Sequence, residues 1–94
     1  MNPEVTVRHN PAACRYEAEV EGRLAVAEYV PQGDRLVFTH TVVPPELRSR
    51  GLAEKLVRTA LEDARAAGRK VVPQCSYVRV FIRRHPEFQS LVAP

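Results

Sequence analysis

Two stretches of the chain bring together residue types that could bind an anion or act as nucleophile and base. In Val42-Val43-Pro44-Pro45-Glu46-Leu47-Arg48-Ser49-Arg50-Gly51-Leu52-Ala53, a glycine flanked by arginines stands where a strand pattern gives way to a helix pattern. The first N–H groups of a helix have no internal acceptors. They also carry the positive end of the helix dipole, so a phosphate group suits them. Gly51 would let a ligand approach the backbone closely, and Ala53 keeps the next position small. The second stretch holds Cys75 and Tyr77 at the start of another helix pattern. A thiol at a helix N-terminus is drawn towards the thiolate and gains nucleophilicity. His40 is the candidate base: it interrupts the apolar alternation Leu36, Phe38, Val42, and imidazole accepts a proton near neutral pH. A structural histidine bonded to a backbone carbonyl is the competing expectation.

The elements that must position these groups follow from hydrophobic period. Residues 4–9 alternate through Val5 and Val7, and Asn10-Pro11 breaks them. Residues 15–20 alternate through Tyr16, Ala18 and Val20. Glu21-Gly22 predicts a hairpin turn, after which residues 23–30 place Leu24, Val26 and Glu28 on one face. Pro31-Gln32-Gly33-Asp34 predicts the next turn. Residues 35–43 form the longest strand, with Leu36, Phe38, His40 and Val42 on one side and Val37, Thr39, Thr41 and Val43 on the other. Pro44-Pro45 ends the sheet run. The period then changes to that of an amphipathic helix over residues 52–67, stopped by Gly68. Lys70-Val71-Val72-Pro73 is a short strand, parallel to residues 35–43 because a helix joins them. Ser76 is positioned to cap a second helix over residues 77–84, which His85-Pro86 ends. The expected fold is α+β with a mixed, mostly antiparallel sheet and the order ββββ-α-β-α, in one domain over residues 1–94.

Composition narrows the class. With 94 residues, 45% hydrophobic and 27% charged, the chain has the make-up of an ordinary small globular domain. Its net charge of +3 comes with two arginine clusters, Arg48, Arg50, Lys55 and Arg58, then Arg79, Arg83 and Arg84. Both would suit an anionic ligand as well as a solvated face. Two cysteines, Cys14 and Cys75, lack CxxC or Cys/His ligand spacing, so no metal is expected. One disulfide between them stays open; two free thiols, no leader pattern at Met1-Asn2-Pro3-Glu4 and no long apolar run point instead to a cytoplasmic protein without a membrane partner. Neither an RNA-binding aromatic strand motif nor a helix-turn-helix is present, so no nucleic-acid partner is expected.

The 48–53 turn does not match the Walker A spacing or the three-glycine dinucleotide fingerprint. It reads Arg-x-x-Gly-x-Ala through Arg48, Gly51 and Ala53. That pattern, between a strand and a long helix, resembles the acetyl-CoA-binding motif of the GNAT superfamily of N-acetyltransferases. The whole run is similar to the compact GNAT-like (YjdJ-type) subfamily. Val43-Pro44-Pro45-Glu46-Leu47-Arg48, Pro73-Gln74-Cys75-Ser76-Tyr77-Val78 and Phe81-Ile82-Arg83-Arg84-His85-Pro86-Glu87-Phe88 carry the likeness. The resemblance implies an acetyl-CoA-dependent N-acetyltransferase acting on an amine acceptor. Backbone donors from Arg48, Ser49, Arg50, Gly51, Leu52 and Ala53 would hold the pyrophosphate of coenzyme A. Main-chain groups of Val42 and Val43 would hold the pantetheine arm. Cys75 stands near the position of the family's usual asparagine, and Ile82 near that of its usual proton-donating tyrosine. The replacements nearest at hand are Cys75 and Tyr77, which with His40 make the candidate catalytic set. Cys75 could carry the acetyl group covalently or only line the thioester pocket; direct attack by the amine in a ternary complex needs no second nucleophile. The missing tyrosine leaves a second expectation open, a coenzyme-A-binding module with little or no transferase activity.

Overall fold

The structure is a computed structural model and describes residues 5–94. Five strands form one sheet in sequence order: β1 (Val7–Asn10), β2 (Arg15–Val20), β3 (Arg23–Gln32), β4 (Arg35–Val42) and β5 (Lys70–Pro73). The first three pairings are antiparallel and β4–β5 is parallel. Helix α1 (Leu52–Ala66) joins β4 to β5, and α2 (Ser76–Arg84) follows β5. The fold is therefore α+β with the expected ββββ-α-β-α order. The part of the first expected strand at Glu4 lies outside the described residues. No helix among the described residues is long and apolar enough to cross a membrane.

Local chemistry accounts for the boundaries. Glu21 and Gly22 both take positive φ (56° and 75°), as a two-residue hairpin turn between twisted strands requires. β3 runs through Pro31 and Gln32, so the next turn is only Gly33-Asp34, tighter than the four residues expected. Helix α1 buries Leu52, Leu56, Val57, Ala60, Leu61 and Ala64 against the sheet. Ala18, Ala25 and Ala27 on the facing strands are fully buried and leave room for it. Gly68 turns left-handed and the Arg69 N–H returns to the Ala64 carbonyl at 2.9 Å, closing the helix. Cys75, not Ser76, is the residue before the first turn of α2. Phe81 and Phe88 join the core, while Tyr77 stays 39% exposed.

One irregularity decides which side chains meet. Tyr29 pairs with Phe38 but Glu28 pairs with His40, so Thr39 is an extra residue in β4. Such a bulge shifts the alternation by one. Before it, Leu36 and Phe38 face the helices; after it, Thr41 and Val43 do. His40 and Val42 consequently point to the uncovered face, where both are exposed, Val42 to 52%. This corrects the expected grouping of His40 with Leu36 and Phe38.

Candidate functional site

The parallel pairing of β4 with β5 is short. It ends at Phe38↔Pro73. There the Cys75 N–H donates to the Phe38 carbonyl at 2.8 Å, and the chain leaves the sheet as α2. Residues 39–42 of β4 keep β3 on one side and, among the described residues, have no strand on the other. At the opposite end of β5, the C-terminal segment covers the edge: Val92 bridges Val71, and the Ala93 N–H donates to the Val71 carbonyl at 2.8 Å. The sheet is thus sealed at one end of this pair and forked at the other.

The start of α1 sits beside the fork. Gly51 has φ 75° and Ser49 φ 69°. A side chain on Gly51 would meet nothing within 4 Å, so the glycine answers to backbone conformation and leaves the space above the turn free. The first bond of α1 runs from the Lys55 N–H to the Gly51 carbonyl, and no side chain among the described residues caps the helix. The N–H groups of Leu52, Ala53 and Glu54 have no acceptor among the described residues. They line a cleft of about 250 Å³ together with Val43, Leu47, Arg48, Ser49 and Tyr77. Three orphan donors, the positive end of a 15-residue helix and a free space above a glycine fit an anionic ligand.

The arginines of the turn do not fill that cleft. The Arg48 Nε donates to the Val43 carbonyl at 3.2 Å, and Arg50 pairs with Glu21 at 3.1 Å. Arg23 and Glu46 add a second link of 3.3 Å between the β2–β3 hairpin and the loop before α1. These exposed pairs brace the turn and each contributes little stability. The backbone offers the open donors here, and the arginines brace its shape. Leu52 contributes only its N–H, because its side chain is buried in the core. Glu54, a like charge for any anion, is drawn aside to Arg58 at 3.2 Å.

Two of the three candidate catalytic residues stand at this end of the sheet. Tyr77 forms a wall of the cleft. Burial and the Glu54 charge hold its hydroxyl above the usual tyrosine range against the pull of Arg84, so it is a hydrogen-bond donor at neutral pH. Cys75 sits at the fork, half-buried, with Thr41 Oγ1 3.5 Å from its sulfur. Burial alone would raise its thiol. The Thr41 hydroxyl and the N–H groups of Val78, Tyr77 and Thr41 outweigh that and bring it below its usual value. The sulfur makes no capping hydrogen bond to the helix N–H groups, which act on it as nearby dipoles. His40 is elsewhere: its ring lies on the opposite face, 69% exposed, with Nδ1 3.7 Å from Glu28.

A profile of the GCN5-related N-acetyl-transferase family matches residues 15–91, most of the chain. The chain belongs to the GCN5-related N-acetyltransferase family. The solution structure of a GCN5-like protein from Staphylococcus aureus, itself a candidate N-acetyltransferase, superimposes with a TM-score of 0.73 at 21% identity. The match covers 94% of this chain and 87% of that one, and supports the fold.

In this member of the GCN5-related N-acetyltransferase family, Thr41 stands at the candidate site beside Cys75, a contact that strand alternation alone does not reveal. Alternation placed it away from His40, which was right, but not towards the cysteine. The signal was a register shift, which belongs to a pair of strands and not to either one.

Proposed function

We propose that this family member is an acetyl-CoA-dependent N-acetyltransferase whose acyl donor lies along the β4–β5 fork. The observation that carries the reading is the set of N–H groups of Leu52, Ala53 and Glu54, without acceptors among the described residues, opening on a cleft that reaches Val43 just past the end of β4. The pyrophosphate of coenzyme A would take the amides of the 48–53 turn. The pantetheine arm would run along β4 beside Val42 and Val43 as an added strand. It would use the open edge and displace Arg48 from the Val43 carbonyl if it needs that acceptor. Tyr77 would donate its hydroxyl to the same ligand from the cleft wall.

Transfer by direct attack requires the amine to shed its proton. His40 cannot receive it from the opposite face of the sheet, so the proton would pass to water. The lowered Cys75 thiol favours a second route. In it, the Cys75 thiolate attacks the acetyl carbonyl, the carbonyl–sulfur bond to coenzyme A breaks, and coenzyme A leaves as thiolate. The amine then attacks the acetyl-cysteine, Cys75 departs as thiolate, and the amine proton goes to solvent. The acceptor is an amine in either route.

Calorimetric titration with acetyl-CoA tests the cleft, and saturable binding is expected. No heat and no thermal shift at millimolar ligand would sink the reading. Intact-mass analysis after incubation with acetyl-CoA separates the routes: an added acetyl group that Cys75→Ala removes supports the relay. Turnover of an amine panel with no adduct supports direct attack. Binding without turnover of any amine leaves the coenzyme-A-binding module.

A further inference from the structure

The main chain of Cys75 is pinned on both sides. Its N–H donates to the Phe38 carbonyl at 2.8 Å, and its carbonyl accepts the Arg79 N–H at 3.0 Å. One freedom remains to the residue, the rotation that swings its sulfur. The contact that answers it comes from β4: Thr41 Oγ1 lies 3.5 Å from Sγ. Thr41 reaches this place only because the extra residue Thr39 shifts the alternation of β4. Without the bulge, the apolar side chain of Val42 would face α2 and Thr41 would face solvent. Thr39 uses its own hydroxyl on the Glu28 carbonyl at 3.4 Å, whereas Thr41 has no other hydrogen bond among the described residues.

We propose that Thr41 is a positioning residue, whose hydroxyl donates to the Cys75 sulfur and aims it along the open side of the β4–β5 fork. The proposal rests on reading that fork as the place of acyl transfer. A donor to sulfur favours the thiolate over the thiol, because the charged form gains more from the bond. The groups acting on this sulfur are the Thr41 hydroxyl and amide from β4 and the Tyr77 and Val78 amides from α2. No charged side chain of β5 or α1 is among them, and the Thr41 hydroxyl is the side-chain group among them that a substitution can remove.

The test follows alkylation of Cys75 by iodoacetamide against pH, in a Cys14→Ser background so that one thiol reports. Thr41→Val keeps the shape and deletes the donor; Thr41→Ala deletes both; Thr41→Ser keeps the donor. Val and Ala are expected to slow alkylation at neutral pH by about five- to tenfold and to move its midpoint to higher pH, with Ser restoring the parent profile. Parent-like profiles for Val and Ala overturn the proposal, as does a Ser variant that behaves like Val. Should the β4 variants not fold, the Thr41 hydroxyl proton of the unaltered protein decides. Exchange that slows as the Cys75 thiolate forms supports the donor, and exchange as fast as that of a solvated threonine across the titration overturns it. None of these assays contains acetyl-CoA. A failure of the cleft reading would therefore appear in calorimetry and a failure of the Thr41 role in alkylation.

Discussion

Helix α1 has a cleft at each end, and the two are built in opposite ways. The one at its N-terminus is about 250 Å³ and is lined by backbone donors without acceptors among the described residues. The one at its C-terminus is larger, about 480 Å³, and is walled by Tyr16, Tyr29, His9, Asp63 and Arg69. There the polar groups close on one another. The Tyr16 hydroxyl donates to Asp63 at 2.8 Å, and the Tyr29 hydroxyl lies 2.6 Å from His9 Nε2. The His9 ring stacks on Tyr16 with centroids 4.3 Å apart. Size would select the second cleft; polar satisfaction selects the first. A ligand gains most where it supplies hydrogen bonds that the protein cannot make for itself. The large cleft ties β1 and β2 to the helix, and the small one leaves its backbone donors unmatched among the described residues.

The largest effect should come from loading the open end with the wrong charge. Gly51→Asp sets a carboxylate where the pyrophosphate is expected and should weaken acetyl-CoA binding at least a hundredfold by calorimetry. Gly51→Ala separates charge from strain. With no neighbour to meet, a methyl group costs only the left-handed backbone, about 1–2 kcal/mol of stability. Asp63→Asn, at the closed end, should leave the affinity within about twofold. Equal losses from Gly51→Asp and Asp63→Asn would erase the contrast between the ends.

The closed end should answer in stability instead. Asp63→Ala leaves the buried Tyr16 hydroxyl without its acceptor and should cost about 1–3 kcal/mol in chemical denaturation. Tyr16→Phe removes the donor and leaves an exposed carboxylate that water can serve, so it should cost less. The order of these two variants tests which partner pays for burial. Burial first, then the Asp63 bond and charge, push the Tyr16 hydroxyl far above its usual value. The folded state therefore holds this proton when the unfolded chain has released it. Its stabilisation is complete below the ordinary tyrosine value of about 10 and fades as pH rises from there towards the raised value. Tyr16→Phe should flatten that alkaline decline. An unchanged slope would show that another group sets it.

Much of this contrast was legible in the sequence, and the rest was not for a definite reason. The helix period and Gly68 place α1 to within a residue, and the Arg48, Gly51, Ala53 spacing marks the open end. Those signals are local. The bulge at Thr39 carries no glycine or proline to announce it, and it exists only in the pairing of β3 with β4. One unseen residue put His40 on the wrong face and hid Thr41. The closed end was invisible for a similar reason: Tyr16 and Asp63 are 47 positions apart, and only the packed helix brings them together.

A smaller effect should follow from Arg48→Ala. Its side chain is exposed and bonds the Val43 carbonyl, so it shapes the edge of the cleft without forming its floor. A few-fold change in acetyl-CoA affinity is expected, in either direction. Loss releases the turn but also frees the Val43 carbonyl for the ligand. A hundredfold loss would mean that the guanidinium itself, and not the backbone, holds the anion.

The smallest effect should be that of His40→Ala, and its smallness is informative. On the unshifted alternation, His40 would face the helices beside Phe38 and serve as base, and its removal would stop turnover. On the bulged register it lies 69% exposed on the other face, 3.7 Å from Glu28. Turnover of an accepted amine by His40→Ala should then match the parent across the neutral range, with acetyl-CoA affinity unchanged. Gly51→Asp, assayed beside it, shows that the assay can register a loss at the acetyl-CoA cleft, whichever route the transfer takes. A large fall in turnover for His40→Ala, with folding intact, would return the base to β4 and require the sheet to be read without its bulge.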